Sequence, residues 1–222
     1  CDTDNPRNSF IGAGCNNLVD SCCSTIVAGS SSRVENNLSF IGAGANNIVE
    51  GSKSGIIAGD CNCVTGVESF IGTGDTNLAA GRTTAVIAGS GNKVDNTNSV
   101  VIGGNRNTLE GNSNVIGGGY KNKIAGENSS IAGGYCNTLS GRNNFIAGGY
   151  CNKTVDVNRN VSIIGGYYNI ISNSDQGVVA GGLSNQLCDS VQATVIAGNN
   201  NQITSSGNAA IIGGQQNYIN SG

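Results

Sequence analysis

Apolar and small residues return along this chain at fixed offsets from one glycine. With that glycine at position 6 of a repeat, position 3 is Ile or Val in every copy, from Ile11 and Ile26 to Val195 and Ile211. Position 5 is Ala, Gly or the single Thr73, and position 11 is apolar in nearly every copy, as at Val19, Val34, Leu109, Ile124 and Ile219. The glycines run from Gly14 to Gly214 in nine steps of 15 residues, one of 17 and three of 16, which makes 14 repeats. Alternation around position 3 predicts a strand over positions 1–5 with positions 1, 3 and 5 inward, and a second, shorter strand over positions 9–11. Gly at position 6 turns the corner between them, where a positive φ or a close backbone approach excludes a Cβ. A unit this short encloses no core of its own, so successive copies must stack and share one. The expected fold is an all-β solenoid, a parallel β-roll of about 14 coils of 15–17 residues. It forms a single repeat domain over 1–222, with 1–8 as an N-terminal edge segment and 9–222 as the repeats.

Position 9 is Asn in every repeat but one, where Ser32 stands. An Asn two residues before an inward apolar residue points inward itself, and an unpartnered buried amide costs about 1–3 kcal/mol. Identical amides stacked at the strand spacing of roughly 4.8 Å satisfy one another and the turn backbone as an Asn ladder. Sequons at Asn37, Asn128, Asn152 and Asn160 are glycan acceptors by pattern, but Asn152 is a ladder residue.

Positions 2 and 4 should be polar if they face solvent, and they are not. All four Phe residues, Phe10, Phe40, Phe70 and Phe145, lie at position 2, while position 4 carries Val27, Ile57, Ile87, Ile102, Ile164, Ile196 and Ile212. Where position 2 is large position 4 is minimal, as in Phe40/Gly42, and the reverse holds in Gly55/Ile57. A strand apolar on both faces is buried on both, and volume compensation of this kind suits interdigitation with a partner surface. These residues are therefore the candidate oligomer interface.

Segments such as Asn8-Ser9-Phe10-Ile11-Gly12-Ala13-Gly14 and Leu38-Ser39-Phe40-Ile41-Gly42-Ala43-Gly44 resemble the head repeats of YadA-like trimeric autotransporter adhesins and related repeats of trimeric phage and viral fibres. The resemblance runs over nearly the whole chain. It implies left-handed β-rolls, three chains around a common axis, in an extracellular or particle-surface setting. The position 9 Asn, the cysteines, the 16- and 17-residue repeats and the lack of a neck, stalk or anchor depart from that family.

Composition narrows the function further. With 36 Gly, one Pro and a fixed period, the chain is neither collagen nor a disordered tail. Charged residues make up 11% and the net charge is −3, so no basic surface exists for nucleic acid. No apolar run approaches the roughly 18 residues of a membrane span, so no membrane insertion is expected in this segment. The chain lacks an initiator Met, which suggests a processed product or an excerpt, and it lacks His. The carboxylates Asp20, Glu35 and Glu50 stack at position 12 rather than converge, as do Asp95 and Glu110, with Arg33 and Lys53 beside them to neutralise the column. No catalytic residue, metal site or cofactor is expected.

Tyr120, Tyr135, Tyr150 and Tyr167 occupy position 7 of four consecutive repeats, with Tyr168 beside the last and Lys121, Lys123 and Lys153 nearby. Such a strip could stack on sugar rings or receptor side chains, or simply on itself as an aromatic ladder that stiffens the stack. It is the candidate binding site for a host receptor or glycan. Nine cysteines without a C-x-x-C pair suggest an oxidising environment. Cys136 and Cys151, at position 8 of adjacent repeats, are the candidate disulfide, and Cys1, Cys15, Cys22 and Cys23 are candidates to link chains near one end.

Three functions follow. The first is a structural and adhesive fibre or head segment, built as a homotrimer. The second is a head-to-tail filament, because the last coil has neither Pro nor charge to blunt its open edge, unlike the segment through Pro6 and Arg7. The third, an ice-binding solenoid, would want a regular Thr column that no position supplies.

Overall fold

The computed structural model describes residues 8–221, which form two compact units, residues up to Leu109 and residues from Glu110 on. The edge segment, apart from Asn8, lies outside the described residues, as does Cys1. Both units are all-β, without a helix among the described residues, and each contains seven coils of a parallel β-solenoid. Two sheets run along the stack in each unit, one from positions 2–3 and one from positions 10–11. In the first unit Phe40 and Ile41 pair with Gly55 and Ile56, and Ile48 and Val49 pair with Cys63 and Val64. In the second, Ser130 and Ile131 pair with Phe145 and Ile146, and Lys123 and Ile124 with Thr138 and Leu139. Register is thus the repeat itself, so like stacks on like.

The core lies between the two sheets of each coil. Ile41, Ile56 and Ile71 from position 3 meet Val49, Val64 and Ala79 from position 11, all with no exposed surface. In the second unit Ile116, Ile131 and Ile146 play the same part with Ile124 and Leu139. Fully burying one such branched side chain contributes about 1.5–3 kcal/mol, and the stack repeats that gain coil after coil.

The strands are shorter than the sequence pattern suggests. Most contain two residues at positions 2–3, and only Phe10–Cys15 and Thr25–Ser30 extend through the corner. Position 5 does not face the core: Thr73 is exposed and the other residues there are half-buried or exposed. The reason is the number of corners. Besides the position 6 glycine, each 15-residue coil carries a left-handed residue just before each inward polar side chain. Asn46 (φ 54) precedes Asn47, and Lys53 (φ 56) precedes Ser54. Two such corners leave few residues for extended sides.

The position 6 glycine is required twice over. Gly44 has φ 108, and a Cβ there would run into the carbonyl oxygen of Gly59 in the next coil. That close approach is made possible by the Asn ladder. Asn62 Nδ2 donates to Gly74 O at 2.8 Å and to Asn47 Oδ1 at 3.2 Å, while Asn47 Oδ1 also accepts the Asn62 backbone N–H at 3.0 Å. The second unit repeats this at Asn137, whose Nδ2 donates to Asn122 Oδ1 at 3.2 Å and to Gly149 O at 3.1 Å. Ser32 keeps a weaker version, accepting the Asn47 N–H at 3.4 Å.

A second polar ladder lines the opposite corner. Ser54 at position 1 donates to Gly66 O at 2.8 Å and accepts the Ser69 N–H at 3.0 Å, and Ser69 donates to Gly81 O at 2.7 Å. Asn114 substitutes for a serine there, donating to Gly126 O at 2.6 Å and accepting the Ser129 N–H at 2.9 Å. The recurrence of Ser two residues before the position 3 Ile carries the same signal as Asn two residues before position 11.

Candidate functional site

The tyrosine column is built by register alone. Tyr120, Tyr135, Tyr150 and Tyr167 bridge in parallel, one directly after the other. Their rings stack at centroid distances of 5.1, 4.8 and 6.0 Å, with an interplanar angle of 1° between Tyr135 and Tyr150. Tyr168 sets its edge against Tyr150 at 5.5 Å and 74°. Lys121 Nζ lies 5.1 Å above the Tyr120 ring. The charge of neighbouring Tyr168 and its hydrogen bond raise the Tyr150 phenol above its ordinary range, with burial adding to the effect.

This geometry decides what the column can do. A platform for sugar rings needs free aromatic faces, and here the inner faces are occupied by other tyrosines. What remains open is ring edges and hydroxyls, with Tyr167 58% and Tyr168 50% exposed at one end. Each stacked pair adds about 0.5–1.5 kcal/mol beyond its buried area, so the column stiffens its four coils.

The candidate interface residues lie on the surface of each unit. Phe10, Val27, Phe40, Ile57, Ile87, Ile102, Phe145, Ile164, Ile196 and Ile212 are exposed, and Phe70 is half-buried. The alternation of large and small at positions 2 and 4, however, is accounted for within one chain. A Cβ on Gly12 would meet Phe10 Cε1 at 3.0 Å, and one on Gly42 would meet Phe40 Cζ at 3.2 Å, so each ring lies over the glycine of its own strand. Those two glycines also sit against the carbonyl oxygens of Val27 and Ile57 in the next coil. Position 5 is different. A Cβ on Gly103, Gly118, Gly133, Gly165 or Gly181 would meet nothing within 4 Å, and none of these residues is left-handed. The chain itself does not explain why position 5 stays small.

Four of the position 12 carboxylates, Glu35, Glu50, Asp95 and Glu110, are neutralised by a basic residue at position 10 of a neighbouring or the same coil. Arg33 Nη2 lies 3.0 Å from Glu35 and 3.9 Å from Glu50, Lys93 2.7 Å from Asp95, and Lys123 2.7 Å from Glu110. Lys53 instead pairs with Glu68 at 3.7 Å. All are exposed pairs worth at most about 1 kcal/mol. A shallow cleft of about 400 Å³ opens beside the 17-residue coil, lined by Glu127, Arg142, Asp156, Val157 and Arg159. Arg142 Nε is already held by Glu127 at 3.2 Å, and the charges there are mixed. Of the sequons, Asn37, Asn128 and Asn160 are exposed, whereas Asn152 is fully buried in the ladder.

The structure holds no disulfide between Cys136 and Cys151. Both are thiols, half-buried, in the same left-handed conformation with φ 58 and 50. Side chains projecting in parallel from adjacent coils keep their Cβ atoms near the coil spacing of about 4.8 Å, whereas a disulfide needs about 3.5–4.5 Å. Cys15, Cys61, Cys63 and Cys188 are also thiols outside any disulfide. Cys15 Sγ lies 3.2 Å from Ser30 Oγ in the next coil, Cys22 is buried and Cys23 exposed.

No family model matches the chain, and no curated protein matches it.

Proposed function

We propose that this chain is a structural and adhesive segment of an extracellular or particle-surface fibre or head, without enzymatic activity, that associates with two further copies of itself. The observation that carries the reading is the pairing of an exposed apolar row at positions 2 and 4 with small residues at position 5 that the chain's own packing leaves in open space. A close neighbour surface accounts for both. It covers the apolar row, which is larger than soluble monomers usually leave uncovered, and it demands the absence of bulk at position 5. The resemblance to trimeric adhesin and fibre repeats favours three copies. In such an assembly the tyrosine edges and hydroxyls form the outward surface available to a receptor or glycan.

The test is the native mass of the chain. A particle of three 22.3 kDa chains is expected. Gly103→Leu and Gly181→Leu, each placed where a Cβ meets nothing in the single chain, should dissociate it while leaving the circular dichroism unchanged. Sedimentation of the unmodified chain as a monomer overturns the proposal, and a ladder of larger masses indicates end-to-end assembly instead.

A further inference from the structure

Among the described cysteines, Cys136 and Cys151 alone occupy the same position of neighbouring coils. The residues just before them, Tyr135 and Tyr150, have rings 4.8 Å apart and inclined by only 1°, so these two coils are related by a nearly pure translation of that length. The backbones of the cysteines repeat one another as well. Cys136 N–H donates to Tyr120 O and Cys151 N–H to Tyr135 O, both at 2.8 Å, with matching left-handed φ. Two thiols are thus presented in parallel, one coil spacing apart. Their flanking position 8 side chains are engaged elsewhere, Lys121 over the Tyr120 ring and Tyr168 against Tyr150.

We propose that Cys136 and Cys151 form a two-coordinate site for a soft monovalent cation, Cu(I). The spacing that is too wide for a disulfide suits a metal bridge. Thiolate bonds to a first-row metal run near 2.3 Å, so two collinear bonds span about 4.6 Å, close to the separation of the coils. Thiolates select Cu(I) among the first-row ions. Zinc would need four ligands, and no group of three His, Cys, Asp or Glu suited to a metal gathers among the described residues. On binding, two S–H bonds break, two S–Cu bonds form and two protons leave to solvent; copper stays Cu(I). The resulting bis-thiolate carries one negative charge, and Lys153 stands two residues after Cys151 in the same coil to offset it. Each thiol gives up its proton on binding, so uptake strengthens with rising pH.

The experiment is an anaerobic titration of the reduced full chain with Cu(I) against bicinchoninate, a coloured Cu(I) chelator. The unmodified chain should withdraw one more tight equivalent than either Cys136→Ser or Cys151→Ser, and the double substitution should lose no more than each single one. X-ray absorption of the one-equivalent complex should show two sulfur neighbours. Circular dichroism checks that the serine variants keep the fold, with Cys136→Ala and Cys151→Ala as replacements if they do not. The proposal fails if the single variants bind as many equivalents as the unmodified chain, if the double variant loses two, or if Cys61→Ser or Cys63→Ser removes the equivalent instead.

Discussion

In the 15-residue coils the side chain at position 1 is a buried hydroxyl or amide bonded to the backbone of the next corner, as Ser54 is to Gly66. In the 16-residue coils position 1 is apolar or glycine, with Val161 and Ala193 fully buried, and the buried hydroxyl moves back to Ser174, Ser190 and Ser206. There the ladder continues, with Ser190 N–H donating to Ser174 Oγ at 3.2 Å and Ser206 N–H to Ser190 Oγ at 3.3 Å. The extra residue at this corner is left-handed each time: Asn173, Asp189 and Ser205 have φ of 46, 49 and 50. The opposite corner does not change. Asn185 Nδ2 donates to Gly198 O at 3.0 Å in a 16-residue coil, and Asn62 Nδ2 to Gly74 O at 2.8 Å in a 15-residue coil. The solenoid therefore tolerates length at the corner closed by a small hydroxyl and holds constant the corner closed by the amide. An amide spans the gap to a carbonyl and a neighbouring amide at once, so it fixes the corner's dimensions; a hydroxyl reaches less far and can be relocated.

The comparison is broken most severely at its constant corner. Gly59→Val and Gly182→Val place a branched side chain at a left-handed φ and against the next coil's carbonyl. The left-handed conformation alone costs about 1–2 kcal/mol and overpacking about 1–3 kcal/mol more, so both variants should lose most of their cooperative melting transition. Next come Asn62→Ala and Asn185→Ala. Each leaves buried backbone and amide groups unpaired, and a loss of about 1–3 kcal/mol by denaturant melts is expected for both. Equal losses in the two coil lengths confirm that this corner is the same in each, and a loss at Asn185 under half that at Asn62 contradicts it.

The variable corner should be less sensitive. Ser54→Ala removes donation to Gly66 O as well as acceptance from Ser69, whereas Ser190 Oγ donates only locally, to Cys188 O at 2.7 Å. Both losses should be near 1 kcal/mol, with Ser54→Ala the larger in thermal melts. Thr83→Asn works in the other direction. A β-branched residue at φ 56 is strained, and Asn accepts that conformation, so a gain of roughly 0.5–1 kcal/mol is expected. The smallest effect is on pH. The folded Cys151 thiol titrates at about 11 against an ordinary 9.0. Its contribution is therefore complete below about pH 9 and lost as the pH rises towards 11, because only the unfolded chain ionises in that window. The melting temperature should fall there more steeply than in Cys151→Ser.

Much of this was legible from the chain. The period, the inward Ile and Val, the position 6 glycine and the Asn ladder all follow from residue types that recur without exception or nearly so. The left-handed corners did not, because Leu38, Glu68, Thr76 and Cys61 occupy them and no composition signal marks the site. Strand length was overestimated because alternation in the sequence continues through position 5 while the backbone has already begun to turn. The tyrosine column and the cysteine pair were placed correctly as neighbours. What the sequence could not supply was orientation: parallel stacking turns the tyrosines onto one another and holds the two thiols side by side without joining them.

Each ladder amide leans on its successor. Asn62 Oδ1 takes both of its donors, the backbone N–H of Asn77 at 3.0 Å and Asn77 Nδ2 at 3.1 Å, from the following coil. A ribosome delivers the preceding coil first, so during synthesis every newly made corner waits with a bare amide oxygen until about one more repeat has emerged. At roughly 5–20 residues per second that lag is about one to three seconds, during which the acceptor has only water to bond to. Vectorial growth thus leaves a single reactive front that moves along the chain with translation, and closure of each coil is timed by the arrival of the next.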